Sequence, residues 1–243
     1  MSDFRARVYG SYVNARQVAL APKSLAGLGP RQPYIRKLIR EHFPTERSAR
    51  ILDLGCGHGA ILHFAHEAGY VSAWGVDTSL EQVRAARALG IEGVVHGDIR
   101  RVLKRQRSAS LDAVISFDII EHFRKDELTP LVDSVLRVLA VGGRWVIHIP
   151  NAESVFGARM RYWDFTHECA FTRSSISQIL LASGFKSVTV FEDRPIPHGL
   201  LSLARWLLWM AIRGLLRLYL AVETGSIDGA AVLSQNMLVV AFK

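Results

Sequence analysis

ILDLGCGHG, at residues 51–59, joins a short apolar strand to a loop with glycine at every second position. Apart from Asp53 the strand is apolar throughout, as a strand buried on both faces must be; a half-solvated strand would alternate. Gly55, Gly57 and Gly59 let the main chain turn sharply and let a ligand approach backbone N–H groups with no Cβ in the way. Such a loop suits a closely held nucleoside.

Outward from this loop, apolar β-rich runs at 50–55, 72–77, 93–98, 113–118, 144–150 and 187–192 alternate with helical patterns at 59–68, 79–89, 126–139 and 173–183. That alternation marks a parallel sheet with crossover helices. Gly69, Gly90, Gly142 and Gly184 stand where the helices should stop. The chain of 243 residues therefore reads as one α/β domain. Its parts are a helical cover over one edge at 1–48, a core at 50–192, a helical insertion at 195–230 and a last strand, MLVVAFK, at 237–243.

At the end of the second strand, WGVDTS places Asp77 18 residues beyond Gly59, with Thr78 beside it. An acidic residue at this distance from a glycine loop can accept the hydroxyl protons of a ribose. The spacing GxGxG departs from the dinucleotide pattern GxGxxG, which argues against a nicotinamide cofactor. The strings DLGCGHG, GVDTS, VVHGDI and LDAVISFDIIEHF stand in the order and spacing of class I S-adenosylmethionine methyltransferases, which the chain resembles from about residue 50 to 192.

This resemblance implies a doubly wound, seven-stranded, mainly parallel sheet whose last strand inserts antiparallel beside the sixth. It implies S-adenosylmethionine as methyl donor and S-adenosylhomocysteine as product. Asp53, Gly55, Cys56, Gly57 and Gly59 would face the methionine part, Asp77 and Thr78 the ribose, and Gly97, Asp98 and Ile99 the adenine. Phe117 and Asp118 would line the donor pocket. Taken alone, Asp98 also reads as a simple helix cap.

Methyl transfer needs alignment of nucleophile, methyl and sulfur, and a way to manage the nucleophile's proton. In DIIEHF, Asp118, Glu121 and His122 share one face if a helical turn begins at the aspartate. YWDFTH adds Tyr162, Asp164 and His167. Asp118, Glu121, His122 and His167 suit a divalent ion such as Mg or Mn. The set resembles the ExxEH plus distant His that binds a divalent ion in plant small-RNA 2′-O-methyltransferases and ubiquinone-pathway O-methyltransferases, with Asp118 where those have Glu. A rival reading makes His167 a general base oriented by Asp164; a third gives the segment a merely structural role. His122, on an element packed beside the sheet, favours structure. His58, His63, His66, His96, His148 and His198 gain no role from spacing.

Lys and Arg number 30 against 22 Asp and Glu, a balance of +8 that favours anionic partners. RRVLKRQR at 100–107 reads as a solvated helix face, since it has no interleaved aromatics to stack bases, and nucleic acid is disfavoured. Cys56 and Cys169 are too few for a disulfide framework, and MSDFRARVYGSYVNARQ lacks the apolar core of a secretion signal, so the expected location is cytoplasmic.

The segment 199–222, GLLSLARWLLWMAIRGLLRLYLAV, forms an amphipathic helix with Arg205, Arg213 and Arg217 within about a third of its circumference and leucines over much of the rest. Three arginines at ~2.5–3.5 kcal/mol each argue against spanning a bilayer. Peripheral contact with the inner face of the membrane, a lid, a dimer contact or ordinary core remain as readings. The acceptor expected is a small molecule, a glycan or a lipid-linked group, methylated on oxygen by a monomer or homodimer. Bacterial chains of this look resemble methyltransferases of surface polysaccharides, lipid carriers or quinones.

Overall fold

The computed structural model describes residues 8, 21–226 and 229–243; much of the predicted N-terminal cover lies outside them. Seven strands form one sheet in the order β3-β2-β1-β4-β5-β7-β6. They are β1 (Ile51–Leu54), β2 (Ala73–Asp77), β3 (Val94–His96), β4 (Leu111–Phe117), β5 (Leu139–Pro150), β6 (Ser187–Glu192) and β7 (Asn236–Phe242). All neighbours are parallel except β7, which runs antiparallel between β5 and β6. The sequence-predicted architecture, antiparallel last strand included, is the one observed.

The helices are α1 (Gln32–His42), α2 (Ala60–Glu67), α3 (Leu80–Ala88), α4 (Ile99–Arg105), α5 (Lys125–Val138), α6 (Gly157–Tyr162), α7 (Arg173–Ala182) and α8 (Leu200–Thr224). In α5, Leu128, Leu131, Val132, Val135 and Val138 recur at helical spacing and are buried, so one stripe packs on the sheet. Ile99, Leu103, Ile176 and Leu180 extend that layer over the same face. On the other face Ile35, Leu38 and Ile39 of α1 join Ile61, Phe64 and Ala65 of α2 over Ile51, Ile115 and Val146. The described part of the N-terminal cover therefore lies on a face of the sheet rather than over one edge, because α1 has an apolar stripe to bury.

Two boundaries differ from expectation. Helix α5 passes directly into β5 at Leu139, so Gly142 is a bend within that strand and not a helix stop. The first part of β5 pairs with Leu111, and a register shift follows before Ala113, which lengthens both strands toward their amino ends. The insertion is mainly α8, in which no residue is buried; the reading of this helix as ordinary core is overturned.

Candidate active site

Strand order reverses between β1 and β4, and a crevice at the carboxyl ends of these strands is where doubly wound sheets bind ligands. The glycine loop lies there. Gly55 has φ +70, and a Cβ on it would stand 2.0 Å from Ile119 Cδ1, so the loop can pass under the DIIEHF segment only with glycine at this position. Asp77 fixes the loop from the next strand: one oxygen accepts from Gly57 N at 2.8 Å, the other from Ser79 N at 2.7 Å. Burial raises the pKa of Asp77, and these two backbone donors oppose the rise.

Beneath the loop Asp53 is buried, with no hydrogen-bond partner for either carboxylate oxygen. Burial, then the charge of Asp77, hold its pKa well above the usual carboxylate range. An unpaired buried carboxylate is costly and fits a cationic ligand group above it. Burial, then the charges of Asp53 and Asp77, push the Cys56 thiol up and disfavour its thiolate. At the edge of the crevice Gly97 N donates to Asp77 O, Ile99 is buried and Thr78 is exposed, its carbonyl 3.1 Å from His96 Nε2. Asp98 caps α4 by accepting from Arg101 N at 2.9 Å. The cap reading of Asp98 is thus present in the structure, and Asp98 remains half-buried beside the crevice.

After β4 the backbone turns abruptly at Asp118, whose φ of +52 is a left-handed conformation that costs a non-glycine residue roughly 1 kcal/mol. A 3₁₀ turn then spans Ile120–His122. Because the helical turn starts after Asp118, that carboxylate does not share a face with Glu121 and His122. Ligand atoms of Glu121, His122 and His167 lie within 4.8 Å of one another, a group that does not include Asp118. Its Oδ1 instead meets His148 Nδ1 at 2.7 Å.

Glu121 is 1% exposed, and neither carboxylate oxygen has a hydrogen-bond partner. Burial, then Asp118, raise its pKa well above the normal range. Thr166 Oγ1 donates to Asp164 at 2.7 Å and so accepts from His122 Nδ1 at 2.8 Å, which makes Nε2 the lone-pair nitrogen of His122. Burial and neighbouring His167 push His122 down to about 4. His167 Nδ1 lies 3.1 Å from the Met160 carbonyl, which likewise assigns its lone pair to Nε2, and burial lowers its pKa. Asp164 therefore orients His122 through Thr166, and the Met160 carbonyl holds His167 at Nδ1. The segment is held in place by Arg161, which donates to the carbonyls of His167 and Glu168, and by Glu168 N and Cys169 N, which donate to Glu121 O.

A family model described as a methyltransferase domain, Methyltransf_23, matches residues 29–190. The chain belongs to this family. Among curated proteins, the methyltransferase is similar to ajmaline N-methyltransferase of Rauvolfia serpentina, 29% identical over 141 residues, which are 52% of this chain and 47% of that relative. It thus spans about half the length of that relative. Among solved structures, a SAM-dependent methyltransferase from Archaeoglobus fulgidus superposes with a TM-score of 0.66 at 22% identity, covering 88% of this chain and 94% of the other. Phosphoethanolamine N-methyltransferase 2 of Haemonchus contortus, in complex with S-adenosyl-L-methionine, gives 0.62 at 17% identity, covering 99% and 59%.

The methyltransferase also assembles residues that the sequence did not single out. His148, at the end of β5, stacks on Phe117 at 4.6 Å and reaches Asp118 on one side and Asp193, 3.4 Å from its Nε2, on the other. Tyr34 stands edge-on to both rings, and burial together with the Asp193 carboxylate raises its hydroxyl pKa. The available signal was a polar residue in the apolar strand WVIHIP, in register with Phe117. A cavity of about 380 Å³ opens from Tyr34 and Asp193 toward Arg194 and Arg213.

Burial alone would lower His148, but Asp118 and Asp193 outweigh it and hold the pKa up at about 10. Since the folded value exceeds the ~6.5 of an unfolded histidine, this stabilisation is complete below about 6.5 and is lost as pH rises toward about 10. His148→Gln should therefore flatten the fall of Tm between pH ~7 and ~10 in scanning calorimetry. A fall as steep as in the wild type would show that the ion pairs do not tie these strand ends together.

Proposed function

We propose that the protein is an S-adenosylmethionine-dependent O-methyltransferase in which Glu121, His122 and His167 hold a divalent ion beside the acceptor. The observation that carries this reading is the buried Glu121 carboxylate, without a hydrogen-bond partner and within 4.8 Å of the two imidazoles. A histidine whose second nitrogen is fixed by a protein oxygen is the usual form of a metal ligand, and Thr166 and Met160 supply those oxygens. Two imidazoles and one carboxylate favour Mn over Mg, which prefers an all-oxygen shell.

Bound S-adenosylmethionine supplies an electrophilic methyl group on a sulfonium. Asp53 would balance the charge of its ammonium, directly or through water, and Asp77 would accept from its ribose hydroxyls while keeping Gly57 and Ser79 in place. Gly97, Asp98 and Ile99 would border the adenine, and Phe117 with Asp118 would wall the donor side of the acceptor crevice. A divalent ion, when bound, lowers the pKa of an acceptor hydroxyl. Tyr162, exposed at the rim, and the segment carrying Asp164 would close over a small-molecule or glycan acceptor.

One observation favours an amine instead: carboxylates Asp118 and Asp193 stand beside the rings of Tyr34 and Phe117, a wall that suits a cation. The N-methyltransferases among the similar proteins support that alternative.

Cell extract incubated with the protein and isotope-labelled methyl donor, followed by mass spectrometry, names the acceptor atom. On the O-methyl reading a labelled ether or ester appears, EDTA reduces turnover at least ~100-fold, and Mn restores it. Full turnover in EDTA would sink the metal role; a labelled amine would sink O-methylation.

A further inference from the structure

We infer that the protein docks on a lipid bilayer through the outer face of α8 and the aromatic rim at residues 155–165, and takes an acceptor anchored in that bilayer. The inference deepens the methyltransferase reading by naming the acceptor as an amphiphile.

The sequence grouped the arginines of α8 on one arc without saying which way that arc faces, and the structure turns two of them inward. Arg213 Nε donates to buried Glu192 at 2.6 Å, and Arg217 donates to the Gly229 carbonyl. Leu200, Leu208, Ile212, Leu215, Leu218 and Val222 consequently project away from the protein. With 25 residues the helix is about 37 Å long. Along that length its outward side carries no charged residue; Arg205 and Glu223 stand at the rim. An exposed apolar face of this extent marks a docking site, not ordinary surface.

A second observation is independent of α8. Phe156, Tyr162, Trp163 and Phe165 are all exposed, and Arg159 lies over the Trp163 ring at 5.4 Å. Aromatic rings interleaved with arginine suit the headgroup level of a membrane. Helix α6 follows β5 and α8 follows β6; because both strands run antiparallel to β7, the two patches leave the sheet at the same, carboxyl end as the candidate active site. The cavity that begins at Tyr34 and Asp193 reaches Arg213 on the inner side of α8, so this helix borders the space beside the His148 contacts.

A bilayer fits this face better than a second copy does. A surface that is aliphatic but for Tyr219 offers few of the paired contacts that make a protein interface specific, whereas a bilayer requires only apolar area, and a tyrosine suits its headgroup level. The net charge of +8, with Arg159 and Arg205 beside the patches, matches anionic headgroups. No described helix is long and apolar enough to cross a membrane, and the Arg213–Glu192 pair ties α8 to the end of β6.

The test is flotation of the full chain with vesicles of phosphatidylcholine containing phosphatidylglycerol, set beside Leu208→Glu/Leu215→Glu and Trp163→Ser/Phe165→Ser. Leu208 and Leu215 are 66% and 67% exposed, so the first substitution removes no packing. Wild type should float, and each double variant should reduce the bound fraction by roughly tenfold or more. All three should bind S-adenosylhomocysteine equally in calorimetry, which keeps the donor-site reading separate from the docking result. Wild type that stays with the unbound fraction overturns the inference. So does a dimer in light scattering that the leucine variant converts to monomer without any flotation of the wild type, since the face then belongs to a second copy.

Discussion

Asp77→Ala should weaken binding of S-adenosylhomocysteine by roughly 100-fold or more in calorimetry. Two roles are lost together. The carboxylate holds the glycine loop to β2 through Gly57 N at 2.8 Å and Ser79 N at 2.7 Å, and on the proposed reading its remaining lone pairs would accept from the two ribose hydroxyls. Hydrogen bonds to a charged acceptor contribute about 1.5–3 kcal/mol each, so even the lower figure for two gives the expected loss. Asp77→Asn should recover part of it, because an amide oxygen still accepts from one side. Affinity within about threefold of the wild type in the alanine variant would remove Asp77 from the donor site.

The second large effect is expected at Glu121. Glu121→Gln keeps the volume but removes the only negative charge from the set with His122 and His167, and should lower kcat on the order of 10³-fold. Titration followed by the signal of free Mn in electron paramagnetic resonance should show the loss of a bound equivalent. Metal-free stability should rise or stay level, since a buried carboxylate without hydrogen-bond partners costs more than an amide. That opposition of signs separates a ligand from a structural residue: a structural Glu121 would lose stability and activity together. Retained turnover with unchanged Mn binding would end the metal reading.

The parts of the site that come from one continuous segment were legible in the sequence. ILDLGCGHG and GVDTS declare themselves because a buried parallel strand must be apolar and a close backbone turn must be glycine. Convergence of Glu121, His122 and His167 could be guessed as a set, but the exclusion of Asp118 could not, since it depends on a single left-handed residue before the 3₁₀ turn. The contacts of His148 with Asp118 and Asp193 join the carboxyl ends of three strands, a relation fixed by sheet order and not by spacing. For α8 the wheel correctly separated arginines from leucines, yet only the buried Glu192 shows which side faces the protein.

Strands β6 and β7 pair in unbroken register from Ser187 opposite Phe242 to Glu192 opposite Met237, although residues 193–235 intervene. The ends of that excursion are fastened by Asp193 N to Ser234 Oγ at 3.0 Å and by Asn151 Nδ2 to the Val232 and Ser234 carbonyls. The sheet thus closes independently of the excursion at 193–235, and loop-closure cost grows only slowly with its length. Shortening or exchange of the excursion would therefore leave the β6–β7 register and the glycine loop after β1 as they are.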